Sequence, residues 1–306
     1  MRTCTPAERC MLLLFGLFDG EKPMGIRTYR SLWKMLEALG PGDPEGDVTR
    51  EALIRLGQTP AEAAAIVEKL RQEDRLDRHL DTLSRLGISV ATRISPEYPA
   101  RLREALGDRA PMLLYWAGNP ALFQTECVSL VGSRKLREPG RRFAAAAGRA
   151  AAEQGLTYVS GGAAGADTAG FEAAMAAKGT AVLFLADSLH RRMETLRQEL
   201  ETGRVLLVSR ESYDLPFSVS RAYDRNDLIH AMGRKVLVAQ SDYGAGGTWQ
   251  GVVENLKHGW SPVFVWDGTP EEPGTRGLLE RGCAPVSMED LRDLRALKTR
   301  QTSLFE

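Results

Sequence analysis

The sequence predicts an α/β protein, a doubly wound and mostly parallel Rossmann-like sheet with a small N-terminal helical domain. From Gly87 onward, short and continuous apolar runs alternate with segments of helical periodicity, which is typical of parallel strands covered on both faces. Glycine-rich turns join several of these runs to the helical segment that follows. Right-handed crossovers between parallel strands then produce a doubly wound fold.

The elements of this predicted sheet follow directly from the pattern. The strands are Ile88–Thr92, Met112–Trp116, Cys127–Val131, Thr157–Ser160, Thr180–Leu185, Val205–Ser209, Lys235–Ala239 and Pro262–Trp266. The helices between them span 140–154, 166–178, 188–202, 218–232 and 248–258. We expect the Rossmann-like domain to cover residues 87–295, followed by a polar tail over 296–306 and by no further domain.

The region 1–86 is predicted to be the helical domain. Its apolar run 11–18 is too short to span a bilayer and lacks the flanks of a signal peptide, so we expect a buried helix. A second helix is predicted over Ser31–Leu39, before a loop over 41–47. Around Gly57, a helix–glycine–helix unit either presents backbone N–H groups to a phosphate, as in helix-hairpin-helix modules, or is a plain helical hairpin.

The composition limits the classes of partner. The chain has 306 residues, with 40 Lys+Arg against 40 Asp+Glu, so any contact with nucleic acid must come from a local basic patch. The 4 cysteines form no CxxC pair and have no histidine nearby. We therefore expect a reduced cytoplasmic protein with no disulfide, no metal and no cofactor.

Unusual residues follow the ends of the predicted strands, where doubly wound sheets bind their ligands. After the run that ends at Val131, Gly132 lets the backbone approach a ligand, Ser133 can donate a hydrogen bond, and Arg134 can grip a phosphate. The alternative is an ordinary strand-to-helix turn. We favour a phosphate contact, because an arginine at the carboxyl end of a strand suits an anion.

The second strand end is glycine-rich. Ser160, Gly161, Gly162 and Gly165 join a strand to an alanine-rich helix, an arrangement that places phosphate at a helix N-terminus. The spacing matches neither a Walker A loop nor the dinucleotide fingerprint. We expect Asp167 to cap the helix rather than to act in catalysis.

A basic helix and a second glycine-rich turn complete the predicted site. Arg221 and Arg225, with Asn226 beside them, lie one turn apart, and are either ligand contacts or a solvated helix face. Gly246, Gly247 and Thr248 precede another helix, so a ligand could be held across the switch point of the sheet. Basic residues beside the first loop could track a nucleic-acid backbone or merely keep that helix start solvated: Arg134, Lys135, Arg137, Arg141 and Arg142.

Taken in order, these motifs resemble the DNA-processing protein A family, also called DprA or Smf. The resemblance is carried by Tyr98-Pro99, Leu102, Leu114-Tyr115, Gly118-Asn119, Val131-Gly132-Ser133-Arg134, Val159-Ser160-Gly161, Gly165, Asp167 and Arg225-Asn226. It implies an extended Rossmann fold, binding of single-stranded DNA, loading of the RecA recombinase and a role in natural transformation. The partners we expect are single-stranded DNA or a nucleotide, then RecA and a second copy of the chain, with no membrane.

The chain departs from that family at several positions. Many members have a basic residue in place of Ala164, Ala-His in place of Gly170-Phe171, and arginine in place of Asp227. An acidic residue at this last position is expected to weaken a phosphate-binding groove. The fourth loop, often Ser-Gly-Ser, here reads Gly246-Gly247-Thr248.

Two other functions compete with DNA binding. The first is a nucleoside-monophosphate phosphoribohydrolase, whose catalytic glutamate would fall at Gly251, whereas the nearest acid here is Glu254. A carboxylate displaced by most of a helical turn cannot reach the same atom, so we expect no such enzyme. The second is a nucleotide sensor in a stress or phage-defence system, which would bind a small signal in the same cleft.

Overall fold

The computed structural model describes residues 4–17, 23–30, 32 and 48–298. The predicted helix Ser31–Leu39, apart from Leu32, lies outside the described residues, as do the loop 41–47 and the end of the tail from residue 299. The chain divides into two compact units. The first contains residues 1–98, 111–115 and 211–213, and the second contains the remainder. The proposed boundary between residues 86 and 87 stays a prediction.

The first unit is built mainly from helices. Their bounds are Pro6–Phe15, Arg50–Arg55, Pro60–Leu70 and Glu73–Arg85. The Thr5 hydroxyl accepts a hydrogen bond from the Glu8 amide, the Glu8 carboxylate accepts one from the Thr5 amide, and Pro6 supplies the first helical residue. Residues 11–15 are buried, which confirms the predicted buried helix in its described part. Across all the described residues, no helix combines the length and the apolarity needed to cross a membrane.

The helix–glycine–helix unit of the first unit forms as predicted. Gly57 has a φ of 93°, a conformation that glycine adopts without steric cost. Thr59 and Glu62 then form a reciprocal cap, and the next helix begins at Pro60. Phosphate binding by this turn stays a prediction.

The strands follow the predicted pattern closely. Their bounds are β1 Ser89–Thr92, β2 Leu113–Gly118, β3 Cys127–Val131, β4 Thr157–Ser160, β5 Thr180–Leu185, β6 Val205–Ser209, β7 Lys235–Val238, β8 Val263–Trp266 and β9 Ala284–Val286. In the second unit the strand order is β6-β5-β4-β3-β7-β8-β9. Each resolved pair from β6 to β9 is parallel. The predicted doubly wound, mostly parallel class is therefore confirmed.

The helices of the second unit cover the sheet. They span Ala100–Leu106, Glu138–Glu153, Ala166–Ala176, Leu189–Thr195, Arg197–Glu201, Val219–Asp224, Asn226–Met232, Gly246–His258 and Pro273–Glu280. The prediction of single helices over 188–202 and 218–232 was wrong, because the chain breaks at Leu196 (φ −113°, ψ 28°) and again at Arg225. Strand β9 and the helices at residues 100 and 273 were not predicted, since each is short and Pro285 argues against a strand.

One close helix contact sets the position of the glycine-rich end of β4. A Cβ added to Gly148 would lie 2.0 Å from the Gly170 carbonyl oxygen, and one added to Gly170 would lie 2.6 Å from the Tyr158 hydroxyl. Glycine at both positions therefore lets helices Glu138–Glu153 and Ala166–Ala176 pack backbone to backbone. This packing explains why the chain has glycine at position 170, where many members of the family that the sequence resembles have alanine.

All four cysteines belong to the described part of the chain, and none forms a disulfide. Burial raises the pKa of Cys10 and of Cys127 to about 11, and that of Cys283 to about 12. These thiols are therefore protonated at neutral pH and suit apolar packing. In the same described residues, no group of three His, Cys, Asp or Glu side chains could hold a metal ion.

Candidate functional site

A cleft of about 370 Å³ opens beyond the carboxyl ends of β3 and β7. Strands β4, β5 and β6 continue the sheet on one side of β3, and β7, β8 and β9 on the other. The cleft therefore lies at the topological switch point, where doubly wound sheets bind ligands. The predicted site residues that line it are Gly132, Ser133, Arg134, Asp167, Arg225, Asn226, Gly246, Gly247 and Thr248.

The turn after β3 forms one wall of the cleft. The Ser133 amide donates to the Gln240 carbonyl oxygen at 2.9 Å, and the Ser133 hydroxyl accepts from the Lys135 amide at 3.1 Å. A Cβ on Gly132 would lie 2.5 Å from the Ala166 Cβ, so this glycine permits close packing on the next helix. Arg134 is exposed, and its guanidinium carbon lies 5.2 Å from the centre of the Phe217 ring.

The turn after β4 is closed by the side chain of Asp167. Its carboxylate accepts hydrogen bonds from the Gly161 amide at 3.0 Å and from the Ala163 amide at 3.2 Å. The prediction that Asp167 caps the helix was wrong: Gly165 is the capping residue, and the carboxylate turns back to the loop instead. The Gly161 and Ala163 amides therefore already donate to an acceptor within the protein, the Asp167 carboxylate.

Four predicted contact residues of this turn do not line the cleft: Ser160, Gly161, Gly162 and Gly165. The Gly162 amide donates to the Ser160 hydroxyl at 3.4 Å. The Gly162 carbonyl oxygen accepts a hydrogen bond from the Arg192 guanidinium at 3.0 Å. Arg192 also pairs with Asp187 at 3.3 Å, and nothing in the local sequence indicated its role. The geometry of these residues suits support of the cleft wall, and their contact with a ligand stays a prediction.

Arg225 lines the cleft, although only 5% of its surface is exposed. A Cβ added to Gly161 would lie 1.2 Å from Nη1 of Arg225, so the guanidinium covers the backbone of that glycine. Burial lowers the pKa of Arg225, and the charge of Asp167 opposes this effect. Burial likewise raises the pKa of Asp167, opposed by the charge of Arg225 and by the two amides. The two buried charges therefore stabilise each other.

The Nε atom of Arg225 is buried and has no hydrogen-bond partner among the described residues. Arg225 lines the cleft, whereas Arg221 does not. Arg221 instead donates through Nη1 to the Pro216 carbonyl oxygen. The predicted basic pair is thus divided, with one arginine at the cleft and the other bracing the preceding turn.

The helix that begins at Gly246 forms the opposite wall. Gly246 has a φ of 81°, and the helix runs for 13 residues with no side-chain cap on its first turn. The Asn226 side-chain amide donates to the Gly247 carbonyl oxygen at 3.2 Å, which ties this wall to the Arg225 segment. A helix start of this kind carries a partial positive charge suited to an anion.

The charged residues around the cleft are only partly those the sequence indicated. Of the predicted basic cluster, Arg134 and Lys135 line the cleft, whereas Arg137 pairs with Glu272 at 3.0 Å. Arg141 and Arg142 both lie near Glu138, at 3.9 and 3.2 Å. The local basic patch at the cleft is therefore small.

Asp227 does not face the cleft. Its carboxylate pairs with Arg210 at 3.2 Å, with 14% of the Asp227 side chain exposed. Burial raises the pKa of Asp227, and the charge of Arg210 opposes this. Because Arg210 balances its charge, the geometry argues against the expected weakening of the groove by this acid, and that weakening stays a prediction.

A hydrolase glutamate would stand at position 251, where the His230 side chain packs against the backbone of Gly251. A Cβ on Gly251 would lie 2.8 Å from Nε2 of His230, a residue that burial keeps neutral by lowering its pKa to about 3. Glu254 is outside the cleft and pairs with Arg109 at 3.6 Å and with His258 at 3.3 Å. No carboxylate therefore reaches the cleft from this helix in the described structure.

Exposed aromatic side chains around the cleft were missed at the sequence level. Tyr223 lines the cleft and is 37% exposed, and Phe217 is 48% exposed beside Arg134. Tyr223 stands three residues before Asn226, so helical spacing from that motif could have indicated it. Large exposed aromatics beside a cationic cleft are typical of surfaces that bind another molecule.

Two solved structures of DNA processing protein A are similar to this chain. The chain is similar to DNA processing protein A from Streptococcus pneumoniae, with 22% identity, a TM-score of 0.71, and coverage of 95% of this chain and 98% of that one. It is also similar to DNA processing protein A from Helicobacter pylori, with 23% identity, a TM-score of 0.55, and coverage of 67% and 92%. No curated protein sequence matches the chain.

The sequence also matches a family model. That model, described as DNA recombination-mediator protein A, covers residues 89–294, which is more than half of the chain and includes every wall of the cleft. The chain therefore belongs to the DNA recombination-mediator protein A family.

Proposed function

We propose that the cleft binds single-stranded DNA without catalysing a reaction. The observation that carries the proposal is the pairing of exposed Arg134 with exposed Phe217 at the rim of the cleft, 5.2 Å from guanidinium carbon to ring centre. A guanidinium can grip a phosphate, and an aromatic face can stack on a base. A group that can bind the phosphate of a nucleotide and a group that can stack on its base thus lie next to each other.

The electrostatics of the cleft favour an anionic strand. Arg134 and Lys135 are exposed on one wall, nearly buried Arg225 adds positive charge to the cleft, and the helix start at Gly246 faces them. Asp167 offsets part of the charge of Arg225, and Asp242 at the edge of the cleft offsets part of the remainder. A strand that crosses the cleft would exchange its condensed counterions for these cations, so its affinity should depend on salt.

The aromatic side chains favour a strand over a single nucleotide. Tyr223 and Phe217 are both exposed, yet a mononucleotide has only one base to stack. A solved relative, DNA processing protein A from Helicobacter pylori, is described as having a unique single-stranded DNA binding mode. Family membership and these side chains together support the same class of ligand here.

A small nucleotide is the second candidate ligand. The cleft volume of about 370 Å³ falls within the range of pockets that enclose small molecules. A nucleotide-sensing protein would use the same arginine and the same helix start. The distinguishing property is the dependence of affinity on ligand length.

Fluorescence anisotropy on the full chain would separate the two candidates. Oligothymidylates of increasing length would compete with a labelled 20-mer, beside dTMP, AMP and GMP. We expect affinity to rise with length beyond one nucleotide, because several cations and aromatic faces are then engaged. Arg134→Ala should weaken oligonucleotide binding, and Arg149→Ala, which removes an exposed arginine outside the cleft, is the matched control. Tight binding of a mononucleotide with weak binding of every oligonucleotide would instead establish the sensor.

The family suggests a further step, in which the bound strand is passed to a RecA-type recombinase during DNA uptake. We propose this step on family membership, with a homodimer as a candidate assembly. The test is the rate of RecA filament growth on single-stranded DNA coated with a single-strand binding protein. The parent chain should accelerate growth, and Arg134→Ala should not. Equal growth with and without the parent chain would refute recombinase loading while leaving DNA binding intact.

A further inference from the structure

Tyr243 stands outside the cleft, on the glycine-rich turn that leads from β7 to the helix at Gly246. It is 58% exposed, more than Phe217 or Tyr223. Its ring centre lies 4.9 Å from that of Trp249, at an interplanar angle of 56°. One part of the ring is therefore held by the protein while most of it faces solvent.

Two glycines near Tyr243 determine where its ring can lie. A Cβ added to Gly277 would lie 2.5 Å from Cε2 of Tyr243 and 2.8 Å from Cη2 of Trp249, so only glycine leaves room for both rings. Gly244, which follows Tyr243, has a φ of 68° and brings the chain back toward Gly246. The position of the exposed ring is thus set by two glycines and a buried indole.

A cation also contacts the ring of Trp249. The guanidinium carbon of Arg281 lies 4.6 Å from the centre of the Trp249 ring, and Trp249 itself is only 6% exposed. Tyr243, Trp249 and Arg281 therefore form one aromatic–cation cluster, the Tyr243 cluster. Trp249 lies in the first turn of the helix whose start lines the cleft, so this cluster is linked to that wall.

We propose that the exposed face of Tyr243 stacks on a nucleobase of the strand, one that lies outside the cleft. The proposal rests on the proposed function, because it extends the same strand past the Gly246 wall. The chemistry is that of a flat, sequence-tolerant aromatic contact, since every base has a π-face. Asp242, the neighbour of Tyr243 at the edge of the cleft, makes a phosphate contact here unfavourable, which leaves the base as the group that Tyr243 recognises.

Stacking and phosphate contacts leave different signatures in a binding assay. Tyr243→Ala should weaken binding of a 20-mer oligothymidylate at least about fivefold, the lower end of what one base–aromatic stack contributes. The salt dependence of the affinity should stay at the parent value, because no counterion-releasing contact is lost. Tyr243→Phe should restore the parent affinity within about twofold, since the ring is kept.

Oligonucleotides with abasic sites test whether the base is the partner. Replacing every base of the strand by an abasic site should abolish the difference between parent and Tyr243→Ala. A strand that carries 2-aminopurine at every position should be quenched more on binding to the parent and to Tyr243→Phe than on binding to Tyr243→Ala. Thermal unfolding of each variant checks that the fold is kept, which the exposure of Tyr243 leads us to expect.

The outcomes separate this inference from the proposed function. If Arg134→Ala weakens DNA binding and Tyr243→Ala does not, the cleft binds DNA and the Tyr243 contact is refuted. If Tyr243→Ala weakens binding equally on abasic and intact strands, the ring does not stack on a base and the inference is also refuted. If the parent binds no oligonucleotide, both fail together.

Discussion

Gly161 offers a quantitative test of how the buried arginine of the cleft, Arg225, is packed. In Gly161→Ala the new Cβ would lie 1.2 Å from Nη1 and 2.0 Å from Cζ of Arg225. The guanidinium must then move by roughly 2 Å to reach an ordinary contact distance. With only 5% of Arg225 exposed, this movement takes place in a packed site and disturbs the interaction of its charge with that of buried Asp167. Forcing extra volume into a packed site is destabilising, and we expect a loss of about 2 kcal/mol in the free energy of unfolding.

The neighbouring glycine supplies the matched control. In Gly162→Ala the Cβ would lie 3.6 Å from Leu185 and 3.7 Å from Leu183, which are ordinary contacts. The substitution is nevertheless strained by a φ of 61°, so we expect a loss of about 1 kcal/mol. Urea unfolding of both variants, followed by circular dichroism, measures the difference.

A double-mutant cycle identifies the cause of the larger effect. In an Arg225→Ala background the clash with Gly161→Ala is absent, and the cost of that substitution should fall below about 1 kcal/mol. An equal cost of Gly161→Ala with and without the Arg225 side chain would refute the packing described here. Oligonucleotide affinity should fall in Gly161→Ala and in Arg225→Ala alike.

Other expectations concern residues near the cleft. Burial lowers the pKa of His230 to about 3 in the folded chain. As the pH falls below about 6.5, His230 is therefore protonated in the unfolded chain but not in the folded chain, which lowers the free energy of unfolding. The parent should therefore lose about 1.5 kcal/mol more stability than His230→Gln between pH 6.5 and pH 5, and parallel pH profiles would contradict this. Asp227→Asn should lower stability by about 1 kcal/mol, through the Arg210 pair, while oligonucleotide affinity changes less than about threefold; a gain of tenfold or more would show that this acid does weaken the groove. Parent and Glu254→Gln should release no free base from nucleoside monophosphates, and release that depends on Glu254 would overturn the proposal that the cleft catalyses no reaction.

The sheet could be predicted from the sequence because its strands are continuous apolar runs bounded by turn residues. The observed bounds of β3, β4, β5 and β6 coincide with the predicted ones. Strand β9 could not be predicted, since it has three residues and contains Pro285, and its place at the edge of the sheet depends on pairing with β8. Local composition thus determines the central strands, whereas tertiary contacts determine this edge.

The candidate site was predictable in its loops but not in their hydrogen bonding. Glycines after strands indicate close backbone approach, yet they do not reveal what approaches. Around Gly161 it is the guanidinium of Arg225, from the junction of two helices more than sixty residues away in the sequence, and the nearby amides donate to Asp167. In the same way, the pairing of Asp227 with Arg210 arises only in the folded chain. Such assignments require the packing of distant segments.

The salt dependence of oligonucleotide binding tests the central claim most directly. Dissociation constants of the parent, Arg134→Ala and the control Arg149→Ala would be measured for one oligothymidylate across a range of salt concentrations. For the parent, binding should weaken steeply with salt, and Arg134→Ala should reduce the log–log slope by about 0.7, the value for one phosphate contact on a single strand. The control should keep the parent slope. Identical slopes for all three proteins would contradict a phosphate contact at Arg134 and, with it, the assignment of the cleft.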